Sequence, residues 1–207
     1  MTNYLELLDW RRRVAELFVE LRRREPDEST LAWFRAEKDA LYRGHPQTPL
    51  TCRARAVFSG LLYWAYAPAA RVEARFRATD NREAPIQTST NDEMAFSRIG
   101  QLDFDYAGER CRLGAYWIEG YAGGLFVPFR DRTSGVESYG GGRYLLDTIK
   151  SADLGSEVAG GTVVLDFNYA YNPSCAYDPQ WSCPLAPPEN WLAVEVRAGE
   201  RGPVSDR

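Results

Sequence analysis

The sequence predicts an α+β protein in which two N-terminal helices precede a mainly antiparallel β-sheet, closed as a barrel-like or sandwich domain. Three observations support this. Apolar residues recur every three or four positions up to about residue 45, they alternate with polar residues at many places between residues 50 and 200, and glycines and prolines separate the alternating segments. A chain of 207 residues that is 44% hydrophobic and 13% aromatic can fill one core of this kind. We therefore expect a single domain over residues 1–207.

The first 24 residues are predicted to form an amphipathic helix that ends before Pro26, which lacks the backbone N–H that a continuing helix needs. Its apolar face consists of Leu7, Trp10, Val14, Leu17, Phe18 and Leu21. A second helix is expected to begin near Ser29 or Thr30, because both side chains are good N-terminal caps, and to end at Gly44. The helical segment is thus expected over residues 1–45.

The β-rich body is expected over residues 50–200. Apolar and charged residues alternate over 71–78, which is typical of a strand with one buried and one solvated face. Residues 102–106 and 111–117 alternate in the same way around the turn at Gly108, and this pattern predicts a β-hairpin. Further strands are expected at 57–64, 94–99, 125–129, 142–146, 162–167 and 192–197.

Charge and hydropathy exclude several classes of protein. The net charge is −4, so the chain lacks the net basic surface with which nucleic-acid-binding proteins displace counterions. Arginine supplies all of the 25 basic residues except Lys38 and Lys150, an excess that we attribute to GC-rich codons. No apolar stretch approaches the 18 residues or so of a membrane-spanning helix, and the N-terminus lacks the pattern of a secretory signal. A cytoplasmic location with reduced cysteines is therefore expected.

A glycine run followed by an arginine is the first candidate site. Gly140, Gly141 and Gly142 allow positive φ and close approach of a ligand, and Arg143 could clamp a carboxylate or phosphate. The run matches neither a P-loop nor a dinucleotide-binding fingerprint, so no cofactor is assigned. The alternative is a structural turn whose arginine pairs with a buried carboxylate such as Asp166.

Polar residues near the end of a predicted strand form the second candidate. Asp166 and Asn168 share one face of that strand, and Asp166 could act as a general base if burial raises its pKa. Asn168 and Asn172 could contact a ligand, with Tyr144 and Tyr177 as pocket walls. Alternatively, Asp166 and the two asparagines only bond the irregular backbone that follows the strand.

Cys175 and Cys183 lie seven residues apart in a loop rich in proline and aromatic residues. Cys175 is the candidate attacking thiol, and Arg143 could lower its pKa. A structural pair, reduced or bridged, is the alternative. A zinc site is disfavoured and no metal site is assigned, because the short C-x2-C spacing is absent. Zinc would need two more ligands from Cys52, Cys111 and His45.

His45 is the only histidine, so any catalytic triad would have to use it. It directly follows the second predicted helix, where a capping or surface role is the ordinary expectation. Ser134 does not lie in the G-x-S-x-G motif of a nucleophile elbow. A triad hydrolase is therefore disfavoured.

Six short segments together resemble one family. They are YGGGRYL at 139–145, DFNYAYNPSCAY at 166–177, CPLAPPEN at 183–190, AGE at 198–200, EKD at 37–39 and TPL at 48–50. In these segments the chain is similar to the bacterial and archaeal proteins of the family "domain of unknown function 1684". The resemblance implies one domain of about this length and brings no established activity, cofactor or partner.

Three functional hypotheses follow from these features. The first is a small-molecule binding protein, or an enzyme, that acts on an anionic ligand held by Arg143 and the glycine turn. The second is a non-catalytic interaction or structural module, and the third is a thiol-dependent redox protein that uses Cys175 and Cys183. No nucleic-acid or membrane partner is expected, and the sequence leaves the oligomeric state and the ligand open.

Overall fold

The computed structural model describes residues 3–157 and 160–203 and confirms the α+β class. Helices α1 (Tyr4–Leu21) and α2 (Glu28–Gly44) match the two predicted helices, and a short helix α3 (Cys52–Ala56) follows. Asp27 caps α2 through its Oδ1, which accepts the amide N–H of Thr30 at 2.8 Å. The prediction of a cap at Ser29 or Thr30 was therefore wrong, because the carboxylate of Asp27 takes that position. In the described part of the chain, no helix is long and apolar enough to cross a membrane.

The described residues form nine strands. They are β1 (Arg71–Glu83), β2 (Ile86–Gln87), β3 (Glu93–Met94), β4 (Phe96–Tyr106), β5 (Glu109–Ile118), β6 (Gly124–Phe129), β7 (Arg143–Asp147), β8 (Ser156–Glu157) and β9 (Thr162–Asp166). Seven of them pair antiparallel in the order β7-β6-β5-β4-β1-β9-β8, while β2 and β3 pair separately. The large sheet curls into a half-barrel.

The predicted hairpin is confirmed as β4 and β5, in which Leu102 lies opposite Leu113 and Phe104 opposite Cys111. These side chains belong to the main core on one face of the sheet, and Phe167 packs into the same core just after β9. Alternation predicts such strands because successive side chains point to opposite faces, so a one-residue slip would expose the whole apolar set.

Two predicted strands are absent. Residues 57–64 and 192–197 are irregular and form no ladder, and side chains take several of their backbone groups. Asp39 Oδ1 accepts the N–H of Leu61 at 3.1 Å. In the second segment, Asp131 Oδ2 accepts the N–H of Val196 at 2.7 Å. An alternating pattern cannot distinguish a strand from an irregular segment held by side chains.

Residues 167–203, which we call the C-terminal loop, are irregular apart from three 3₁₀ turns. Asn190 anchors this loop to the sheet: its Oδ1 accepts the N–H of Gly114, and its Nδ2 donates to the carbonyls of Gly114 and Pro128. Helices α1 and α2 pack on the loop through a cluster that joins Phe18 and Phe34 to Tyr169. The loop is therefore held between the sheet and the helices.

Candidate functional site

A cavity of about 450 Å³ lies between α1, α2 and the C-terminal loop, and we call it the helix–loop cavity. Its volume falls within the range of small-molecule sites. Its walls are mostly apolar, and their largest side chains are Trp10, Phe18, Phe34, Tyr42, Tyr171 and Trp181. The two helices supply much of the cavity wall, because they pack on the C-terminal loop rather than on the main sheet.

All charged side chains that line the cavity are basic: Arg11, Lys38 and Lys150. Lys38 Nζ lies 2.5 Å from Glu200 Oε1, and Lys150 Nζ lies 3.0 Å from Asp147 Oδ2, but neither carboxylate is part of the lining. Arg11 makes no ion pair within the residues that the structure describes. Of the three basic side chains, Arg11 is therefore the one whose charge no carboxylate of the described chain balances.

A second, more open groove of about 810 Å³ runs between α1 and α2. Its lining carries five carboxylates against Arg13 and His45, and these acidic residues are Glu6, Asp9, Glu16, Glu20 and Glu37. The charges of this groove are therefore mostly acidic, unlike those that line the helix–loop cavity.

Glu200 organises the inner end of the helix–loop cavity. Its side chain is 1% exposed, and besides Lys38 it accepts the amide N–H of Asn172 at 2.8 Å and the hydroxyl of Tyr177 at 2.7 Å. Burial, followed by the charge of Glu200, raises the pKa of Tyr177, which keeps that hydroxyl protonated as a donor. The ammonium of Lys38 also lies 4.8 Å from the ring centre of Tyr171. This network connects α2 to the C-terminal loop.

Asn172 lines the cavity with a buried amide. Its Nδ2 donates to the carbonyl of Arg201 at 2.7 Å and to Tyr177 Oη at 3.4 Å. Its Oδ1 accepts no hydrogen bond from any group in the described chain. Buried polar atoms normally have a partner, so this oxygen is suited to accept a hydrogen bond from a ligand or a water molecule. Tyr177, predicted as a pocket wall, lies behind the lining and accepts the hydrogen bond from Asn172.

Cys183 contributes to the cavity wall, and Cys175 lies directly behind it. The amide N–H of Cys175 donates to Cys183 Sγ at 3.4 Å, and Tyr139 Oη lies 3.5 Å from Cys175 Sγ. Both thiols are buried and free. The hydrogen bond from the Cys183 thiol, assisted by Tyr139, lowers the pKa of Cys175 to about 6, whereas the same bond raises the pKa of Cys183. Arg143, predicted to assist Cys175, is not among the groups that shift this pKa.

Arg143 is 1% exposed and donates hydrogen bonds to backbone carbonyls of the C-terminal loop. Its Nη1 donates to the carbonyls of Ala198 at 2.6 Å and Glu200 at 3.1 Å. Its Nη2 donates to the carbonyl of Val196 at 2.8 Å and to Asp131 Oδ1 at 3.3 Å. Both terminal nitrogens are thus occupied internally, which favours the structural alternative over a ligand clamp. Its buried partner is Asp131 rather than Asp166.

The glycine turn also has a structural explanation. A Cβ on Gly142, whose φ is +96°, would lie 2.6 Å from the carbonyl oxygen of Phe129, and one on Gly141 would lie 2.5 Å from the ring of Tyr139. The carbonyl of Gly141 accepts the N–H of Ala186. These glycines therefore let the turn pack closely against its neighbours, and neither lines the helix–loop cavity or the acidic groove.

The strand-end group has a structural arrangement as well. Asp166 Oδ1 accepts hydrogen bonds from the amide N–H and Nδ2 of Asn168, and Asp166 Oδ2 lies 3.6 Å from Arg71 Nη1. Asn168 also bonds both backbone groups of Ala67. Burial raises the pKa of Asp166, which a general base would require, but Asp166 lines neither cavity described above. The observed bonds match the alternative of backbone support.

Two other candidates are held by local contacts. Tyr144 is buried in the sheet, and its hydroxyl donates to the carbonyl of Pro184 at 2.6 Å. His45 Nδ1 accepts the N–H of Gln47 at 3.0 Å, so its proton is on Nε2, which lies 3.2 Å from Asp9 Oδ2. His45 thus fastens the end of α2 to α1. Among the described residues, no group of three or more histidine, cysteine or acidic side chains could hold a metal ion.

Of the residues singled out from the sequence, Asn172 and Cys183 line the helix–loop cavity, Cys175 and Tyr177 lie behind its lining, and the others lie elsewhere. Sequence reasoning missed Arg11, Lys38 and Glu200. Lys38 and Glu200 stand in two of the segments that carry the family resemblance, EKD and AGE, and this was the available signal. Arg11 had none, because it is one of three consecutive arginines on a helix.

The chain matches a family model and is similar to solved structures. The family model described as "Protein of unknown function (DUF1684)" matches residues 56–201. The solution NMR structure of the uncharacterized protein from gene locus rrnAC0354 of Haloarcula marismortui is similar, with 40% identity and a TM-score of 0.61. The similarity covers 84% of this chain and 93% of the archaeal one. A comparison with curated proteins gives no match.

Proposed function

This chain belongs to the DUF1684 family of proteins of unknown function, and from that premise we propose that it binds a small amphiphilic anion in the helix–loop cavity. The ligand has an apolar, aromatic or aliphatic body and one carboxylate or phosphate group. The proposal keeps the ligand class expected from the sequence and moves the site from Arg143 to the cavity.

One observation carries the proposal: an apolar cavity whose charged lining is exclusively basic. The aromatic walls bury the body of the ligand, at about 25 cal/mol for each Å² of apolar surface removed from water. Arg11 supplies a charge that no carboxylate in the described chain neutralises. The unpaired Oδ1 of Asn172 accepts a hydrogen bond from a hydroxyl or amine on the ligand or from a bound water.

The test uses 8-anilinonaphthalene-1-sulfonate, an aromatic anion that fluoresces when it leaves water. We expect saturable binding of one molecule per chain and quenching of tryptophan emission, because Trp10 and Trp181 stand in the wall. N-phenyl-1-naphthylamine, which lacks the sulfonate, should bind at least several-fold more weakly. Equal affinity of the two probes would refute an anion site.

A matched pair of variants locates the charge. Arg11 lines the cavity and Arg12, its exposed neighbour, does not. Arg11→Gln should weaken binding of the sulfonate about fivefold, which is the effect of losing about 1 kcal/mol of attraction near a protein surface. Arg12→Gln should leave the affinity unchanged. Equal losses in both variants would mean that the probe binds the basic helix surface rather than the cavity.

A further inference from the structure

We propose that Cys183 and Cys175 form a peroxide-reactive dithiol, which hydrogen peroxide entering through the helix–loop cavity oxidises to an intramolecular disulfide. The site shares the cavity of the proposed function but does not depend on its ligand. Failure of the anion-binding test would therefore leave this proposal standing, and the reverse also holds.

The geometry distinguishes this pair from the other cysteines. Cys183 Sγ accepts the amide N–H of Cys175, so the two residues are in direct contact, and only Cys183 lines the cavity. Cys52 is exposed on α3, and Cys111 is buried in the core face of β5. Within the described chain, only the pair combines a neighbouring sulfur with a route for a small oxidant.

The electrostatics suit the reaction because the interaction between the two thiols lowers the pKa of Cys175 and raises that of Cys183. At neutral pH the hydrogen bond from Cys183 keeps Cys175 deprotonated, since the pKa of Cys175 is lowered to about 6. Tyr139 Oη, 3.5 Å away, donates to the same sulfur. The pair thus carries one negative charge, and Cys175 can take the proton of Cys183 when Cys183 reacts.

The reaction has two steps. As its proton passes to Cys175, Cys183 Sγ attacks one peroxide oxygen and the O–O bond breaks. The departing hydroxide takes up a proton from solvent to give water, and Cys183 becomes a sulfenic acid. Cys175 then loses its proton, and its thiolate attacks Cys183 Sγ. The S–S bond forms, the S–O bond breaks, and hydroxide leaves with a proton as the second water. Overall, one thiol and one thiolate lose two electrons and one proton, solvent supplies the second proton, and one peroxide becomes two waters.

The experiment begins with the Cys52→Ser protein, which removes the exposed thiol. After peroxide treatment and alkylation of the remaining thiols, cleavage before aspartate separates Cys175 from Cys183 at Asp178. We expect the two fragments to be joined by a bond that dithiothreitol breaks, while Cys111 stays alkylatable after unfolding. Unjoined fragments at peroxide exposures that oxidise a free thiol in solution would overturn the proposal.

Two further variants assign the roles. Cys175→Ser should stop at a sulfenic acid on Cys183, which dimedone traps, and Cys183→Ser should leave Cys175 reduced at the same exposure. Trapping of Cys175 in the Cys183→Ser protein at the wild-type rate would overturn the assignment of Cys183 as the attacking residue. Circular dichroism checks that each variant is folded. The fragment map of the Cys52→Ser protein tests the disulfide without the Cys175→Ser and Cys183→Ser variants.

Discussion

Replacing Arg143 with methionine tests the conclusion that this residue holds the C-terminal loop. Methionine fills much of the same volume but cannot donate hydrogen bonds. Three backbone carbonyls, those of Val196, Ala198 and Glu200, lose a charged donor, and the buried carboxylate of Asp131 loses its ion-pair partner.

The expected magnitude follows from these four contacts. A hydrogen bond to a charged group contributes about 1.5–3 kcal/mol, and removing one partner of a buried ion pair costs about 3–5 kcal/mol. Asp131 keeps hydrogen bonds from Thr133, Ser134 and the amide of Val196, and such contributions do not add fully. We therefore expect the free energy of unfolding to fall by about 5 kcal/mol, a large part of the total for a domain.

Urea unfolding followed by circular dichroism at 25 °C measures this change. The matched control is Arg197→Met, because Arg197 belongs to the same loop but pairs with Glu137 and Glu195 at an exposed surface. We expect the control to leave the urea midpoint nearly unchanged. A loss below about 1 kcal/mol in Arg143→Met would refute the structural role. Stabilisation by phosphate of the wild type but not of Arg143→Met would restore the anion-binding hypothesis.

Three further predictions concern the turn, the loop anchor and the thiols. Gly142→Ala should lower the free energy of unfolding by about 1–3 kcal/mol, because the added Cβ meets the Phe129 carbonyl at positive φ. The control is Gly44→Ala, which has open space around it and should not lower the midpoint of thermal unfolding. Asn190→Ala should cost about 2–4 kcal/mol in urea, because it leaves Gly114 and Pro128 with unpaired buried backbone groups. The rate of disulfide formation between Cys175 and Cys183 should be nearly constant from pH 7 to 8 and about tenfold lower at pH 5. The reason is that the thiolate of Cys175 is lost below its pKa of about 6. A rate that keeps rising up to pH 9 would contradict the lowered pKa.

The sequence determined those features that depend on local periodicity. Helices α1 and α2 and the β4–β5 hairpin follow from the spacing of apolar residues, because the backbone geometry converts that spacing into one buried face. An internal partner for Arg143 and backbone support by Asp166 could be anticipated as alternatives, since charged residues that are buried need partners. Which partners they find is not a local property.

Only the tertiary structure decided the site. Lys38 and Glu200 are 162 positions apart, and they meet because α2 packs on the C-terminal loop. Arg143 pairs with Asp131 rather than Asp166 because the glycine turn folds back on the segment after β6, while Asp166 lies at the end of β9, near Arg71. An arginine or a cysteine has the same local signature whether it faces a ligand or a carbonyl. Long-range packing sets the solvation and the neighbouring charges that distinguish the two.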